Sequence, residues 1–289
     1  MAMPGLQPGY RFTDLLVQLG SVIFGQVDQD GVHWHCEDTE GWDSPDSRGT
    51  LTQREADHGA YAGPVYLNER VITLTGKVTA PSAAALDGAI DRLKVAAALT
   101  DTTLTVYETI PRQATVRRSG RPLMKRLTDR TIEYSVQVTA DDPRLYAASE
   151  TVTALRLPTV TDGQTWPATF PNTFPAVVVS GDTTVTNAGT IDARPRIVIA
   201  GPVVQPAVTV TGPDGTAATL LYSGTVSDGD YLDLDCDLHT AYYNGTASRR
   251  SLVSGTWPVL QPGISGLAFR AGTYSSTATL TVAYRSAWM

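Results

Sequence analysis

Short runs of Thr, Val, Ile and Leu, separated by Gly, Pro, Asp and Asn, recur along nearly the whole chain and limit its fold more than any other feature. Examples are residues 71–78, 103–107, 130–138, 196–199 and 278–284. β-Branched and aromatic residues favour strands, and the intervening residue types favour turns. In the last run Leu280, Val282 and Tyr284 alternate with smaller or polar residues, which places one face of a strand on a core. The sequence therefore predicts a mainly β fold.

One segment departs from this pattern and predicts a single amphipathic helix over residues 82–99. Ser82, at its start, is a residue type that caps helix N-termini. Apolar residues recur in it at steps of four, three and four, at Leu86, Ile90, Leu93 and Ala97. Gly88 lowers the intrinsic stability of this helix by about 1 kcal/mol relative to Ala, so we expect packing on a sheet to hold it.

A proline-rich stretch, residues 158–175, predicts a boundary between two domains. Its prolines remove backbone donors and exclude a central strand. Trp166, Phe170 and Phe174 predict that it packs on a domain surface as an ordered linker. We expect an N-terminal β-domain over residues 1–147, a linker over 148–176, and a β-sandwich or jelly roll over 177–289.

Charge and apolar content exclude several classes of protein. Of the 289 residues, 22 are Lys or Arg and 29 are Asp or Glu, a net charge of −7, which does not suit a general nucleic-acid binder. No stretch approaches the roughly 20 apolar residues of a membrane helix, and we expect no membrane association. The first residues lack the pattern of a secretion signal. Cys36 and Cys236 are too few and too distant for a disulfide framework.

Two clusters are weak candidates for metal binding. His33 and His35 lie two residues apart, but with His58 they still lack the ligand count and spacing of a zinc site. A second cluster follows Asp228 and Asp230 and consists of Asp233, Asp235 and Asp237. It opens like an EF-hand loop but has neither Gly at position six nor Glu at position twelve. The leucines between its carboxylates favour a half-buried strand with an acidic outer face.

Catalytic motifs are missing from the sequence. It contains no GxSxG elbow, HExxH helix or Walker loop. The pairs Asp141–Asp142 and Glu37–Asp38 could in principle serve a glycosidase, but an ion-paired surface explains them better. We therefore assign no catalytic, cofactor-binding or metal-binding residue and predict that the protein is not an enzyme.

The one basic cluster lies between residues 112 and 130. Its cations are Arg112, Arg117, Arg118, Arg121, Lys125, Arg126 and Arg130. The aromatic residues that would stack on bases are missing, so a contact with an acidic face of another subunit explains the cluster better. The carboxylates of residues 233–237 are one candidate for that face.

A series of motifs in fixed order resembles the distal tail (Dit) proteins of phages with long, non-contractile tails, in the form carried by phages of actinobacteria. The motifs are YAGPVYLNER at 61–70, VITLTGKV at 71–78, the helix at 82–99, ADDPRLY at 140–146, TNAGT at 186–190, ARPRIVIAG at 193–201, SDGDYLDLD at 227–235, GTWP at 255–258, LQPG at 260–263, GLAFR at 266–270 and ATLTVAYR at 278–285. Each motif is only a strand with a turn, and it is their order and spacing that carries the resemblance over nearly the whole chain.

The resemblance implies a ring-forming N-terminal β-domain with one helix and a protruding hairpin, followed by a galectin-like β-sandwich. It implies a homohexameric ring that joins the tail tube to the tail-tip complex, with the tail tube protein, the tape measure protein and tail-tip proteins as partners and no cofactor. It also implies a location in the virion, at the tail tip, after synthesis in the bacterial cytoplasm. We expect the hairpin around residues 112–125.

The alternative function is a carbohydrate-binding tail module that contacts the host surface. Its candidate stacking residues are Trp166, Tyr242, Tyr243 and Trp257, although core or linker packing also accounts for them. A cell-wall hydrolase that uses carboxylates is a third, weaker possibility. Copy number and glycan binding would separate the first two.

Overall fold

The computed structural model describes residues 15–160 and 178–289. The chain forms two compact units that divide between Ala148 and Ser149. The predicted mainly β fold with one helix is confirmed, since among the described residues α1 (Ala83–Ala96) is the single α-helix and strands dominate both units.

Twelve strands lie in the described part of the N-terminal unit. They are β1 (Val17–Leu19), β2 (Val22–Phe24), β3 (Gln26–Val27), β4 (His33–Glu40), β5 (Ser47–Gln53), β6 (Ala60–Leu67), β7 (Arg70–Thr79), β8 (Thr102–Val106), β9 (Arg112–Arg118), β10 (Leu123–Arg126), β11 (Thr131–Ala140) and β12 (Leu145–Ala147).

The main sheet of this unit has the strand order β2-β1-β8-β9-β11-β7-β4-β3, with β10 added beside β11 and β12 beside β9. Its longest pair is β7 with β11, antiparallel from Thr131 opposite Thr79 to Ala140 opposite Arg70. Alternate residues of both strands are buried, as a sheet with one covered face requires. The core therefore follows the period of two that the sequence shows in this region.

Helix α1 begins where the sequence places it and ends three residues earlier. The Ser82 hydroxyl accepts a hydrogen bond from the Ala85 backbone N–H at 3.2 Å, which caps the first turn. The buried face consists of Leu86, Ala89, Leu93 and Ala96, while Leu99 lies beyond the helix and is exposed. A Cβ added at Gly88 would meet no other atom within 4 Å, so the absence of a side chain there is not required by packing.

Asp28, in the turn before β4, links that turn to α1 through an ion pair and to Trp34 of β4 through a hydrogen bond. The Asp28 carboxylate accepts a hydrogen bond from the Trp34 indole N–H at 3.0 Å and pairs with Arg92 of the helix at 2.8 Å. Burial raises the pKa of Asp28, but the hydrogen bonds from Trp34 and from the Val32 backbone, together with the Arg92 charge, lower it below its ordinary value. The charged carboxylate therefore helps to fix the helix on the sheet.

The described strands of the C-terminal unit are short. They are β13 (Thr151–Arg156), β14 (Thr159–Val160), β15 (Val178–Val179), β16 (Asp182–Asn187), β17 (Arg196–Ala200), β18 (Val203–Val204), β19 (Ala207–Thr211), β20 (Ala217–Tyr222), β21 (Thr225–Val226), β22 (Tyr231–Asp235), β23 (Thr240–Tyr243), β24 (Ala247–Ser248), β25 (Val253–Gly255), β26 (Gly263–Arg270), β27 (Thr279–Tyr284) and β28 (Ala287–Trp288), with a 3₁₀ turn at Arg250–Leu252.

Two sheets form the sandwich of this unit. One has the order β13-β27-β17-β22-β23-β24 and the other β16-β26-β19-β20-β25. Alternate residues of β27 and β26 are buried, among them Leu280 and Phe269, which are fully covered. The sandwich core thus again follows the alternation in the sequence.

The buried Asn187 side chain fixes the turn after β16. Its amide donates hydrogen bonds to the carbonyls of Ile191 and Leu260, both at 2.8 Å, and its oxygen accepts from the N–H groups of Gly189 and Ala287. All its main hydrogen-bonding groups are satisfied inside the fold, which explains why a polar residue is tolerated there.

The range 148–176, expected as a linker, contains a strand of the sandwich. Strand β13 pairs with β27 along its whole length, from Thr151 opposite Tyr284 to Arg156 opposite Thr279. The proline signal begins only at Pro158, after this strand. Trp166, Phe170 and Phe174, expected to pack the linker on a domain surface, lie outside the described residues.

Candidate assembly surface

Strands β5 and β6 form a two-stranded hairpin that, among the described residues, pairs with no other strand. We call these residues, 47–67, the hairpin. Its turn is closed by a hydrogen bond of 3.1 Å from the Arg54 backbone N–H to the Gly59 carbonyl. Gly59 has a φ of +92°, a conformation that glycine adopts without strain.

Large apolar side chains of the hairpin are exposed. Leu51 is 71% exposed, Tyr61 65%, Val65 67% and Tyr66 60%. Val65 and Tyr66 are consecutive in β6, so they point to opposite faces, and neither face of the hairpin is covered. A two-stranded hairpin is marginally stable alone in water. The hairpin is therefore a surface that a partner would stabilise.

Arg70 holds the root of the hairpin. Its guanidinium is fully buried and donates hydrogen bonds to the carbonyls of Pro143 at 2.8 Å, Gly41 at 3.2 Å and Trp42. Burial lowers the pKa of Arg70. The buried Arg70 guanidinium therefore fixes the segment that follows β4, where the chain leaves the main sheet toward β5.

The segment expected to form the protruding hairpin, residues 112–125, is instead part of the main sheet. Strand β9 pairs with β8 on one side, and β10 pairs with β11. Alternate residues of β9, Ala114 and Val116, are buried in the core. Of the cations in β9, only Arg117 lies on the exposed face, whereas Arg112 and Arg118 are half-buried at the two ends of the face that carries Ala114 and Val116.

The histidines considered as metal ligands do not form a cluster. His33 and His35 lie on β4 with ring centroids 6.2 Å apart, and His58 lies in the hairpin turn. Within residues 15–160 and 178–289 no group of three or more His, Cys, Asp or Glu side chains could hold a metal ion.

The carboxylates of residues 233–237 are engaged within the chain. Asp233 is buried because the Arg196 guanidinium covers it through two hydrogen bonds. Asp235 accepts hydrogen bonds from the backbone N–H groups of Asp237 and Leu238, and Asp237 pairs with Arg194. The expected acidic outer face is thus largely neutralised, which weakens it as the complement of the basic cluster.

The carboxylate pairs considered for hydrolysis are also engaged. Asp141 pairs with Arg117 at 2.8 Å, and Asp142 accepts a hydrogen bond from the Tyr146 hydroxyl. Glu37 pairs with Lys77 at 2.7 Å. These contacts fit a surface of ion pairs.

The Trp257 ring, a candidate for sugar stacking, makes contacts within its own unit. It stacks on the His239 imidazole with ring centroids 5.1 Å apart, and the Arg250 guanidinium carbon lies 5.2 Å from its centroid. Both contacts favour a packing role. Trp166, another candidate, lies outside the described residues.

The two tyrosine candidates differ in their surroundings. The Tyr243 hydroxyl donates a hydrogen bond to Asp230 at 2.7 Å, and Arg249 lies over its ring. Tyr242 is partly exposed, at 39%. Tyr242 and Tyr243 are consecutive in β23, so their side chains point to opposite faces and do not share one stacking surface.

Sequence reasoning did not identify the hairpin as a surface. A signal is present, because Val65, Tyr66 and Leu67 are consecutive apolar residues and break the alternation of a strand with one covered face. The polar residues 54–59 between the two strands mark its turn.

Among the described residues, no helix has the length and apolarity to cross a membrane.

Comparison with known proteins supports the predicted resemblance. Residues 188–288 match the family model described as the siphovirus-type tail component, C-terminal domain. No curated protein matches the chain.

Two solved structures are similar in fold. One is the crystal structure of the Dit protein of phage SPP1, described as a paradigm of the hub adsorption apparatus in phages that infect Gram-positive bacteria; it is 12% identical, has a TM-score of 0.63, and the match covers 88% of this chain and 93% of that one. The other is the phage P2 baseplate in its activated conformation with Ca, at 11% identity and a TM-score of 0.50, covering 91% of this chain and 93% of that one. At such identities the likeness shows the fold alone.

Proposed function

We propose that this chain, whose residues 188–288 match the model of the siphovirus-type tail component, C-terminal domain, is a distal tail protein with a structural role at the hub of the tail tip. The family match and the shared fold support this role. The alternation of strands and turns, with one face of the long strands buried in each unit, suits a rigid building block.

In this function six copies form a ring that joins the tail tube to the tail-tip complex. The partners would be the tail tube protein, the tape measure protein and the tail-tip proteins. The protein would act in the virion after synthesis in the host cytoplasm. Its role would be structural rather than catalytic, since the carboxylates considered for hydrolysis are held in ion pairs and hydrogen bonds.

The exposed hairpin is the observation that carries the proposal of self-assembly. Full burial of a large apolar side chain contributes about 1.5–3 kcal/mol, so covering Leu51, Tyr61, Val65 and Tyr66 offers a large gain to any contact that buries them. Monomeric proteins rarely expose so many apolar groups on one element. A neighbouring copy in a ring would cover them permanently.

Light scattering on the purified full chain tests this proposal, with negative-stain images to show the outline. We expect a mass six times that of the 30.8 kDa chain and a ring. The double variant Leu51→Ser, Tyr61→Ser should remain a monomer.

Leu238→Ser is the matched control, because Leu238 is 70% exposed but lies in the other unit. This variant should assemble as the unmodified chain does. Rings formed equally well by the hairpin variant, or a chain that stays monomeric at every concentration, would contradict the proposal.

A further inference from the structure

A groove of about 640 Å³ lies between α1 and the β9–β10 region of the N-terminal unit. Its apolar lining includes Ile90 of the helix and Leu123 and Met124 of β10. Leu123 is half exposed, at 52%. We call this feature the basic groove, because four cations also line it: Lys94, Arg118, Arg121 and Arg126.

Two of these four cations, Lys94 and Arg126, are paired within the chain: Lys94 pairs with Asp91 and Arg126 with Asp87. The other two have no carboxylate partner in the described part of the chain. Among the described residues, neither Arg118 nor Arg121 makes an ion pair or a side-chain hydrogen bond. Arg118 is half-buried in the groove wall. An unpaired guanidinium that has lost part of its hydration favours an incoming carboxylate.

The complementary charge lies on the segment that contains the hairpin. Residues 40–69 carry six carboxylates and two arginines, a net charge of −4. The hairpin itself, residues 47–67, is neutral, and the excess negative charge lies on the residues that flank it: Glu40, Asp43, Asp46 and Glu69. By contrast, residues 112–130 carry seven cations and one carboxylate, a net charge of +6. Asp46, Glu55 and Glu69 are exposed and make no ion pair among the described residues. One unit therefore holds two separate surfaces of opposite sign, and each also exposes apolar groups.

The hairpin does not occupy the groove of its own chain, since its apolar side chains are exposed. We infer that the basic groove receives the hairpin segment, residues 40–69, of a second copy of this chain. This inference rests on the proposed self-assembly and names the two surfaces that meet in it. Each copy would offer one hairpin and one groove, a head-to-tail contact that repeats until a ring closes. The carboxylates that flank the hairpin would face the cations of the groove and set the orientation, and the apolar side chains of the hairpin would supply the buried area.

Complementation between two variants of the full chain tests the inference. The groove variant carries Arg118→Glu and Arg121→Glu, and the hairpin variant carries Leu51→Ser and Tyr61→Ser. Each should self-associate at least about tenfold more weakly than the unmodified chain. Mixed together, they retain one intact hairpin and one intact groove, so we expect a 1:1 dimer and nothing larger. Arg156→Glu, at an exposed arginine of the other unit, is the control and should assemble normally.

The outcomes separate this inference from the proposal beneath it. A groove variant that assembles normally beside a monomeric hairpin variant overturns the inference and leaves self-assembly in place. Normal assembly by both variants, or an unmodified chain that never associates, overturns both. If the groove instead binds a different acidic protein, the groove variant would still assemble with itself. That result would count against a second copy as the occupant.

A cross-linking measurement covers the case in which the charge reversals impair folding. A photoreactive benzophenone is attached to a cysteine that replaces Leu123; the native thiols of Cys36 and Cys236 are buried. Labelled and isotopically heavy chains are then mixed. We expect cross-links to residues 40–69 of the other copy, and cross-links confined to other segments overturn the inference.

Discussion

Replacing Arg70 by Met tests whether one buried cation fixes the root of the hairpin. The guanidinium donates hydrogen bonds to the carbonyls of Gly41, Trp42 and Pro143 and is fully buried. A buried acceptor left without its donor costs about 1–3 kcal/mol. The three together therefore set an upper range of roughly 3–9 kcal/mol.

Met offsets part of this cost, because it nearly fills the same volume and removes a charge that is expensive to bury. A hydrogen bond to a charged group contributes about 1.5–3 kcal/mol. We expect Arg70→Met to lower the free energy of unfolding of the N-terminal unit by about 4 kcal/mol and its Tm by roughly 10 °C. Arg70→Lys should cost less, since an ammonium keeps the charge and reaches some of the carbonyls.

Urea unfolding and calorimetry would measure the loss, and hydrogen exchange would locate it. Amides near residues 41–47 and 67–70 should exchange faster, whereas the amides of the sandwich should not change. Arg156→Met is the control, because this arginine is exposed, makes no ion pair among the described residues and lies in neither proposed contact surface; it should change stability by less than about 0.5 kcal/mol. A loss below about 1 kcal/mol for Arg70→Met would refute the reasoning about unsatisfied carbonyls.

Three further predictions concern stability. Gly88→Ala should stabilise the helix by about 0.5–1 kcal/mol in thermal unfolding, since a Cβ there meets nothing, whereas Gly76→Ala should destabilise the unit because its Cβ would lie 2.0 Å from a backbone oxygen. Asp28 has a lowered pKa when folded, so its contribution is present above about pH 4 and is lost as the pH falls through the folded value; Asp28→Asn should lose it at neutral pH and show a flatter acid limb in urea unfolding. Asn187→Ala should lower the unfolding free energy of the sandwich by about 3 kcal/mol in calorimetry, since it leaves buried backbone groups without partners.

Much of the fold could be predicted where one face of an element is buried. The alternation at Leu280, Val282 and Tyr284 placed β27 correctly, and the four-three-four spacing placed α1, because burial on one side leaves a period in the sequence. Asp233 fits less well. Its place in the alternation predicts an outward carboxylate, but Arg196 from the neighbouring strand covers it, a contact that depends on register between distant segments.

The candidate surface leaves only a weak signal in the sequence, the three consecutive apolar residues 65–67. A hairpin with neither face buried has no period that reports burial, so residues 47–67 show little sign of their role until their exposure is seen. The resemblance implies a protruding hairpin, but its expected place around residues 112–125 is wrong, because β9 and β10 are strands of the main sheet. The buried residues of β9, Ala114 and Val116, are small or few enough to be overlooked among the seven cations of residues 112–130.

The hairpin also has open strand edges, which in many proteins invite indefinite fibre growth by backbone pairing. Here the ladder is interrupted, because the register shifts between Gly49 and Leu51 and Pro64, on the facing strand, has no N–H to donate. A newly synthesised chain can therefore leave the hairpin exposed before assembly without forming amyloid-like stacks through its strand edges. Binding of the hairpin then depends on its side chains, which fit a surface of complementary shape and charge, and not on backbone pairing with an arbitrary strand.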